Sequence, residues 1–123
     1  MNRNVKDIYW LAGFLDGEGW FGVSRSIKSN SISPEIRVSS TDEYIIHKAS
    51  TLLRGIAWYT NRLPRIGEKV KYTAVINGPV AIGWMMTILP LMCKRRQEKI
   101  KEVIVEWKSY QARRKVVIPD YNI

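Results

Sequence analysis

Asp16 and Glu18 flank a single glycine in the run Asp16-Gly17-Glu18-Gly19, and two carboxylates that close together suit a hard divalent cation. The rest of the composition narrows the chemistry to the same kind. One histidine, His47, and one cysteine, Cys93, rule out a histidine-rich metal cluster, a cysteine zinc site and an internal disulfide, so any metal must sit on oxygen. His47 falls in a helical pattern and reads as a surface or partly packed residue. Glu106-Trp107-Lys108 has the E-x-K spacing of one nuclease class, but it too falls in a helical pattern, with no Pro-Asp strand before it.

Around the acidic pair the chain is basic: 20 Lys+Arg against 11 Asp+Glu give a formal charge of +9 over 123 residues. The excess is concentrated. Residues 20–41 and 56–77 together carry seven basic residues against two glutamates, and residues 94–115 carry nine against three. A small acidic focus in basic surroundings points to nucleic acid as partner, with metal chemistry at the acids. On charge alone, a solubilising basic surface explains the excess equally well.

The elements that must position these groups can be read from spacing. Asn2 or Asn4 caps a first helix with Val5, Ile8, Leu11, Ala12 and Leu15 on its apolar face, ending in the two glycines. A first strand follows, with Phe21, Val23 and Ile27 inward against Gly22, Ser24, Ser26 and Lys28. After a loop over residues 29–34, a second strand, residues 35–40, places Ile36 and Val38 inward and Glu35, Arg37 and Ser39 outward. Thr41 is expected to cap a second helix whose buried side is Ile45, Ala49, Leu52 and Leu53, with Gly55 as its stop. Third and fourth strands are expected over residues 56–63 and 69–76, the latter with Lys69, Lys71 and Thr73 on one face. A short, nearly all-apolar helix over residues 80–89 should be buried, and Pro90 ends it. A long amphipathic helix from Lys94 to about Arg114 buries Ile100, Val103, Ile104 and Trp107, and the tail after it reads as irregular.

The order α-ββ-α-ββ-α-α predicts one α+β domain over residues 1–123, with a curved four-stranded antiparallel sheet and its helices on one face. The bare face would present Ser24, Ser26, Lys28, Glu35, Arg37, Lys69, Lys71 and Thr73, joined at its margin by Arg62. Such a saddle fits the major groove, where donors and acceptors distinguish base pairs while basic side chains hold phosphates. Trp10, Trp84 and Trp107 lie in helical patterns that suit packing, and Trp20 and Trp58 stay open between packing and base stacking. No stretch approaches about 18 apolar residues and no signal segment opens the chain, so a soluble, intracellular protein without membrane contact is expected.

The nine residues Leu11-Ala12-Gly13-Phe14-Leu15-Asp16-Gly17-Glu18-Gly19 resemble the signature of the LAGLIDADG homing endonucleases. Phe14 replaces an aliphatic residue, Gly17 replaces the small residue between the acids, and Glu18 stands where that family carries Asp or Glu. Independently of the resemblance, Gly13 and Gly17 share a helical face and each costs about 1 kcal/mol of helix stability relative to Ala, which a closely packed second helix would offset. That second helix is either another helix of this chain or, as in the homodimeric members of the family, the same helix of a second copy. The resemblance implies the second, with Gly13, Gly17 and Asp16 at the dimer contact. It also implies Glu18 and the Gly17 carbonyl as ligands of Mg²⁺, for which Mn²⁺ can substitute, with Asp16 in a structural role.

The family carries a lysine in a tract before its last large helix, where this chain has Lys94-Arg95-Arg96-Gln97, and a polar residue closing the second strand, here Ser39 or Ser40. The resemblance therefore implies Lys94 and Ser40 as helpers of Glu18 at the scissile phosphate, with Arg95 and Arg96 on backbone phosphates. A tract that only binds phosphates is the plainer alternative. A serine in place of the Gln or Asn of many relatives weakens the water-positioning role. The expected activity is Mg²⁺-dependent, staggered cleavage of a long, pseudo-palindromic double-stranded DNA site by a homodimer. Two other functions fit the same fold: a maturase that binds its own intron RNA, and a DNA-binding regulator that does not cut.

Overall fold

The computed structural model describes residues 4–59 and 65–117. Asn4 opens helix α1 (Val5–Glu18) because its side-chain oxygen accepts the Asp7 N–H, satisfying one of the donors a helix start leaves unpaired. The helix ends where Gly19 N–H bonds the Leu15 carbonyl. A side chain at Gly19 would stand 2.6 Å from that oxygen, so the sharp passage from helix into strand needs glycine there.

Strands β1 (Gly19–Arg25) and β2 (Ile32–Ser40) form a hairpin. Helix α2 (Glu43–Leu53) crosses back, followed by β3 (Ile56–Tyr59), β4 (Tyr72–Asn77), α3 (Pro79–Ile88), a short 3₁₀ turn over Leu89–Leu91 and α4 (Lys94–Val117). The sheet is antiparallel in the order β1-β2-β4-β3, which puts β2 and β4 in its centre. The expected order of elements is thus the observed one. One hydrophobic cluster lies between the sheet and the helices: Leu11 and Leu15 from α1, Phe21, Ile36 and Val38 from the sheet, Ile46 and Leu53 from α2, Met85 and Ile88 from α3, and Ile100 from α4.

Several boundaries differ from the sequence expectation, each for a physical reason. β1 stops at Arg25, so Ser26 and Lys28 belong to the turn and Ile27, expected inward, is fully exposed. Partner length sets the limit on β4: β2 ends at Ser40, opposite Tyr72, so Lys69 and Lys71 precede the strand rather than lying on it. Asp42, not Thr41, caps α2, accepting from Tyr44 N and Ile45 N, because two backbone donors favour a carboxylate over a hydroxyl. The buried side of α2 is consequently Ile46, Ala49, Ser50 and Leu53. Helix α3 is buried on one side only, through Ala81, Trp84, Met85 and Ile88, while Val80 and Met86 are exposed. Val5, expected on the apolar face of α1, is exposed as well. β3 is described only to Tyr59, and the expected tail beyond residue 117, like Arg62, lies outside the described residues. Among the described residues no helix is long and apolar enough to cross a membrane.

Candidate nucleic-acid interface and metal-binding carboxylate

Glu18 is the last residue of α1, exposed, and its carboxylate has no hydrogen-bond or ion-pair partner among the described residues. It lines an open cleft together with Phe14, Trp20, Arg37, Ser40 and Lys71. The Gly17 carbonyl belongs to the same terminal helical turn, where carbonyls lack intrahelical donors. An unpaired, solvated carboxylate with a backbone oxygen beside it fits a hard divalent cation whose remaining positions are filled by water and phosphate. Among the described residues no three acidic, histidine or cysteine side chains cluster.

Asp16 behaves differently although only one residue separates it from Glu18. Its Oδ1 accepts the Cys93 N–H at 2.9 Å, and Arg96 Nε donates to its carbonyl at 3.0 Å. The Cys93 amide, with Arg96 and Arg95 nearby, holds the Asp16 carboxyl below the usual aspartate value. Cys93 immediately precedes α4 and its carbonyl takes the Gln97 N–H at 2.9 Å, so Asp16 caps the start of α4 from another helix. Within the chain, Asp16 therefore joins α1 to the start of α4.

The junction places the basic tract. Lys94 and Arg95 are exposed in the first turn of α4; Lys94 has no partner among the described residues, while the Arg95 charge acts on the Asp16 carboxylate. Arg96 is turned into the body, with Cζ 5.9 Å from the Phe21 ring centroid, and not toward outside phosphates as the sequence suggested. Lys94 is not among the residues lining the Glu18 cleft, whereas Lys71 is, a lysine expected only on the DNA-facing strand. Its placement was hidden because the cleft forms between α1 and the end of the sheet, segments far apart in sequence. Ser40 also reaches the cleft, and its Oγ accepts the Asp42 N–H at 3.0 Å; Ser39 and Thr73 share a hydrogen bond of 2.8 Å.

On the sheet face away from the helices, register aligns Trp20 with Arg37, Gly22 with Glu35 and Ser24 with Ser33, continuing into Thr73 opposite Ser39. Ser24, Arg37 and the neighbouring Lys28, Lys69 and Lys71 are exposed, while Thr73 is buried by its neighbours. Glu35 faces this side as expected but is only 5% exposed, beneath Arg37, so it is not itself a free contact group. Glu106, of the discounted E-x-K spacing, is helical and ion-paired with Arg25. His47 is exposed on α2, 3.7 Å from Glu43.

The motif glycines bear on the two alternatives raised by the sequence. A side chain at Gly13 or Gly17 would meet nothing within 4 Å, so among the described residues no other helix packs there. Tyr9 and Val5, one and two turns before Gly13 on that face, are also exposed.

No family model and no curated protein matches the chain. Solved structures do match. The group I intron-encoded homing endonuclease I-CeuI, complexed with DNA, aligns over 85% of this chain and 55% of its own, with TM-score 0.64 and 13% identity. The homing endonuclease I-CvuI, in complex with its target, aligns over 81% of this chain and 71% of its own, with TM-score 0.60 and 18% identity. The LAGLIDADG homing endonuclease I-GzeII, in complex with a DNA target, aligns over 99% of this chain and 42% of its own, with TM-score 0.66 and 19% identity. The present chain thus spans about half the length of I-CeuI and less than half of I-GzeII. With its signature run at the end of α1 and its four-stranded antiparallel sheet, the chain has the fold of the LAGLIDADG homing endonucleases.

Proposed function

We propose that the protein is a site-specific, metal-dependent DNA endonuclease that works as a homodimer inside cells. The observation that carries this reading is the partner-free carboxylate of Glu18, held at the end of a helix whose glycine face is uncovered. A carboxylate left unpaired amid Arg37, Lys71 and hydroxyl groups has no structural task to perform, and holding a divalent cation would give it one. Pairing α1 with its copy across Gly13 and Gly17 would bring two Glu18 side chains together, one for each DNA strand.

Glu18, with the Gly17 carbonyl, would hold Mg²⁺ or Mn²⁺, which when bound polarises phosphate and activates water. The chain's own groups do the rest. Lys71, and Lys94 from the first turn of α4, offer positive charge to the developing charge on the scissile phosphate. Ser40, whose oxygen already accepts from Asp42, retains its hydroxyl proton to donate to a water or phosphate oxygen. Ser24 and Arg37 on the sheet, with Lys28 and Lys69 at its edges and Arg95 on α4, form the duplex-binding surface. Two symmetric sites offset along the duplex would give a staggered break in a pseudo-palindromic target.

The test is Mg²⁺-dependent linearisation of a plasmid library carrying long randomised inserts, with EDTA and Glu18→Gln controls. The reading expects selective cutting by the wild type. In Glu18→Gln, cleavage should fall about 100-fold or more, as removal of an interaction of several kcal/mol implies, with duplex binding retained. Normal cutting by Glu18→Gln would remove the metal assignment. Tight binding without cutting would instead make the protein a DNA-binding regulator, or, with intron RNA as the bound species, a maturase.

A further inference from the structure

We propose that Arg37 is a pre-oriented reader of guanine near the cleavage centre, and that Glu35, Trp20 and Gly22 are the residues that orient it; this rests on the duplex-binding reading above. Glu35 and Arg37 stand two residues apart on β2, so both side chains leave the sheet on the same face. Register sets Arg37 opposite Trp20 and Glu35 opposite Gly22. Because Gly22 has no side chain, the Trp20 indole can occupy the space beside its backbone; a Cβ there would fall 2.5 Å from Trp20 Cη2. Arg37 Cζ sits 5.2 Å from the indole centroid, and Arg37 Nη2 donates to Glu35 Oε2 at 2.5 Å. The guanidinium therefore has both a flat aromatic support and a carboxylate anchor.

The exposures separate the partners: the Glu35 side chain is 7% exposed and that of Arg37 52%. An arginine on a sheet face ordinarily loses rotamer freedom when it binds, and one already held loses less. The guanidinium carries five N–H donors, and the anchor uses one side of the fork. The outward side presents the paired donors that match O6 and N7 of guanine in the major groove. Phosphate is the poorer ligand here, because the buried Glu35 carboxylate beneath Arg37 repels an anion and cancels most of the attraction. Guanine is uncharged and meets no such repulsion. Lys69 and Lys71 are exposed and have no carboxylate paired with them among the described residues, which leaves phosphate binding to them. Trp20 and Arg37 line the same cleft as Glu18, so the guanine should lie in the inner part of each half-site, once per copy of the chain.

Selecting bound sequences from randomised duplexes, with Ca²⁺ replacing Mg²⁺, tests this without any cutting step. Wild type is expected to enrich guanine at one inner position of each half-site. Arg37→Lys keeps the charge but not the fork, and Glu35→Gln removes the anchoring charge; each should lower the guanine preference there about tenfold or more. Preferences at the other positions should stay within about twofold. An unchanged guanine preference in Arg37→Lys would overturn the assignment. So would a uniform weakening at every position, which marks a phosphate contact. If wild type enriches no duplex at all, the duplex-binding reading fails first and this one with it, a result distinct from the other two. Arg37 is half exposed, so Arg37→Lys leaves the core intact, and circular dichroism of both variants confirms the fold.

Discussion

Asp16 and Glu18 differ in what surrounds them rather than in type. Asp16 accepts the Cys93 amide at the start of α4, and its carboxyl titrates below the usual value for that reason first. A carboxyl whose folded-state pKa is depressed stabilises the fold at pH values above its unfolded value, about 3.9, and loses that contribution as pH falls through the folded value. Asp16→Asn keeps an acceptor but not the charge, so it should lower stability at neutral pH by roughly 0.3–1 kcal/mol, the worth of an anion at a helix N-terminus. The difference from wild type should begin to narrow below about pH 4. Thermal midpoints of both proteins from pH 3 to pH 7 check this; a gap that does not narrow at all between pH 5 and pH 3 would mean that the charge is not what matters. Glu18, with no internal partner, should show the opposite balance: Glu18→Gln changes activity and leaves the thermal midpoint almost unmoved.

Helix α1 is the element whose sequence and structure pull apart most informatively. Two glycines in a helix cost stability, and within one copy nothing compensates, because the space over Gly13 and Gly17 is empty. Gly13→Leu should therefore leave the isolated chain at least as stable as before, by up to about 1 kcal/mol from helix propensity, while blocking close approach of a second α1. Sedimentation should find monomer in place of dimer, with an unchanged circular dichroism spectrum. A dimer that survives the substitution would place the interface elsewhere. The strands show a different limit. Alternation in the sequence gives the correct inward residues for β2, but it runs on past the end of pairing, as at Ile27 and Lys71. A strand stops where its neighbour stops, and that is a property of two segments, not of one.

Across the whole molecule, the basic charge is concentrated on the sheet with its edges and on helix α4, whose start Asp16 of α1 anchors. The basic groups left exposed should dominate affinity through counterion release, whereas Arg37, paired with Glu35, should not. Lys71→Ala should accordingly weaken binding to all duplexes alike and reduce the salt slope of log K by about 0.9 for each phosphate it neutralises. Fluorescence titrations of one selected and one random duplex over a range of salt concentrations decide it; a loss confined to the selected duplex would make Lys71 a base contact instead.

The order of elements, the basic faces and the likeness of Leu11–Gly19 to a known signature were all legible in the sequence, because periodicity, charge and short motifs are local properties. The carboxylate at Glu18 stood out there too, since the signature is contiguous. Tertiary structure alone decided what each charged group is free to do. It buried Glu35 beneath Arg37, turned Arg96 inward, brought Lys71 to Glu18 and left the face of Gly13 open. Each of those outcomes depends on segments remote in the chain meeting across a sheet or a helix junction, and no local pattern encodes which groups such a meeting will pair and which it will leave to a partner.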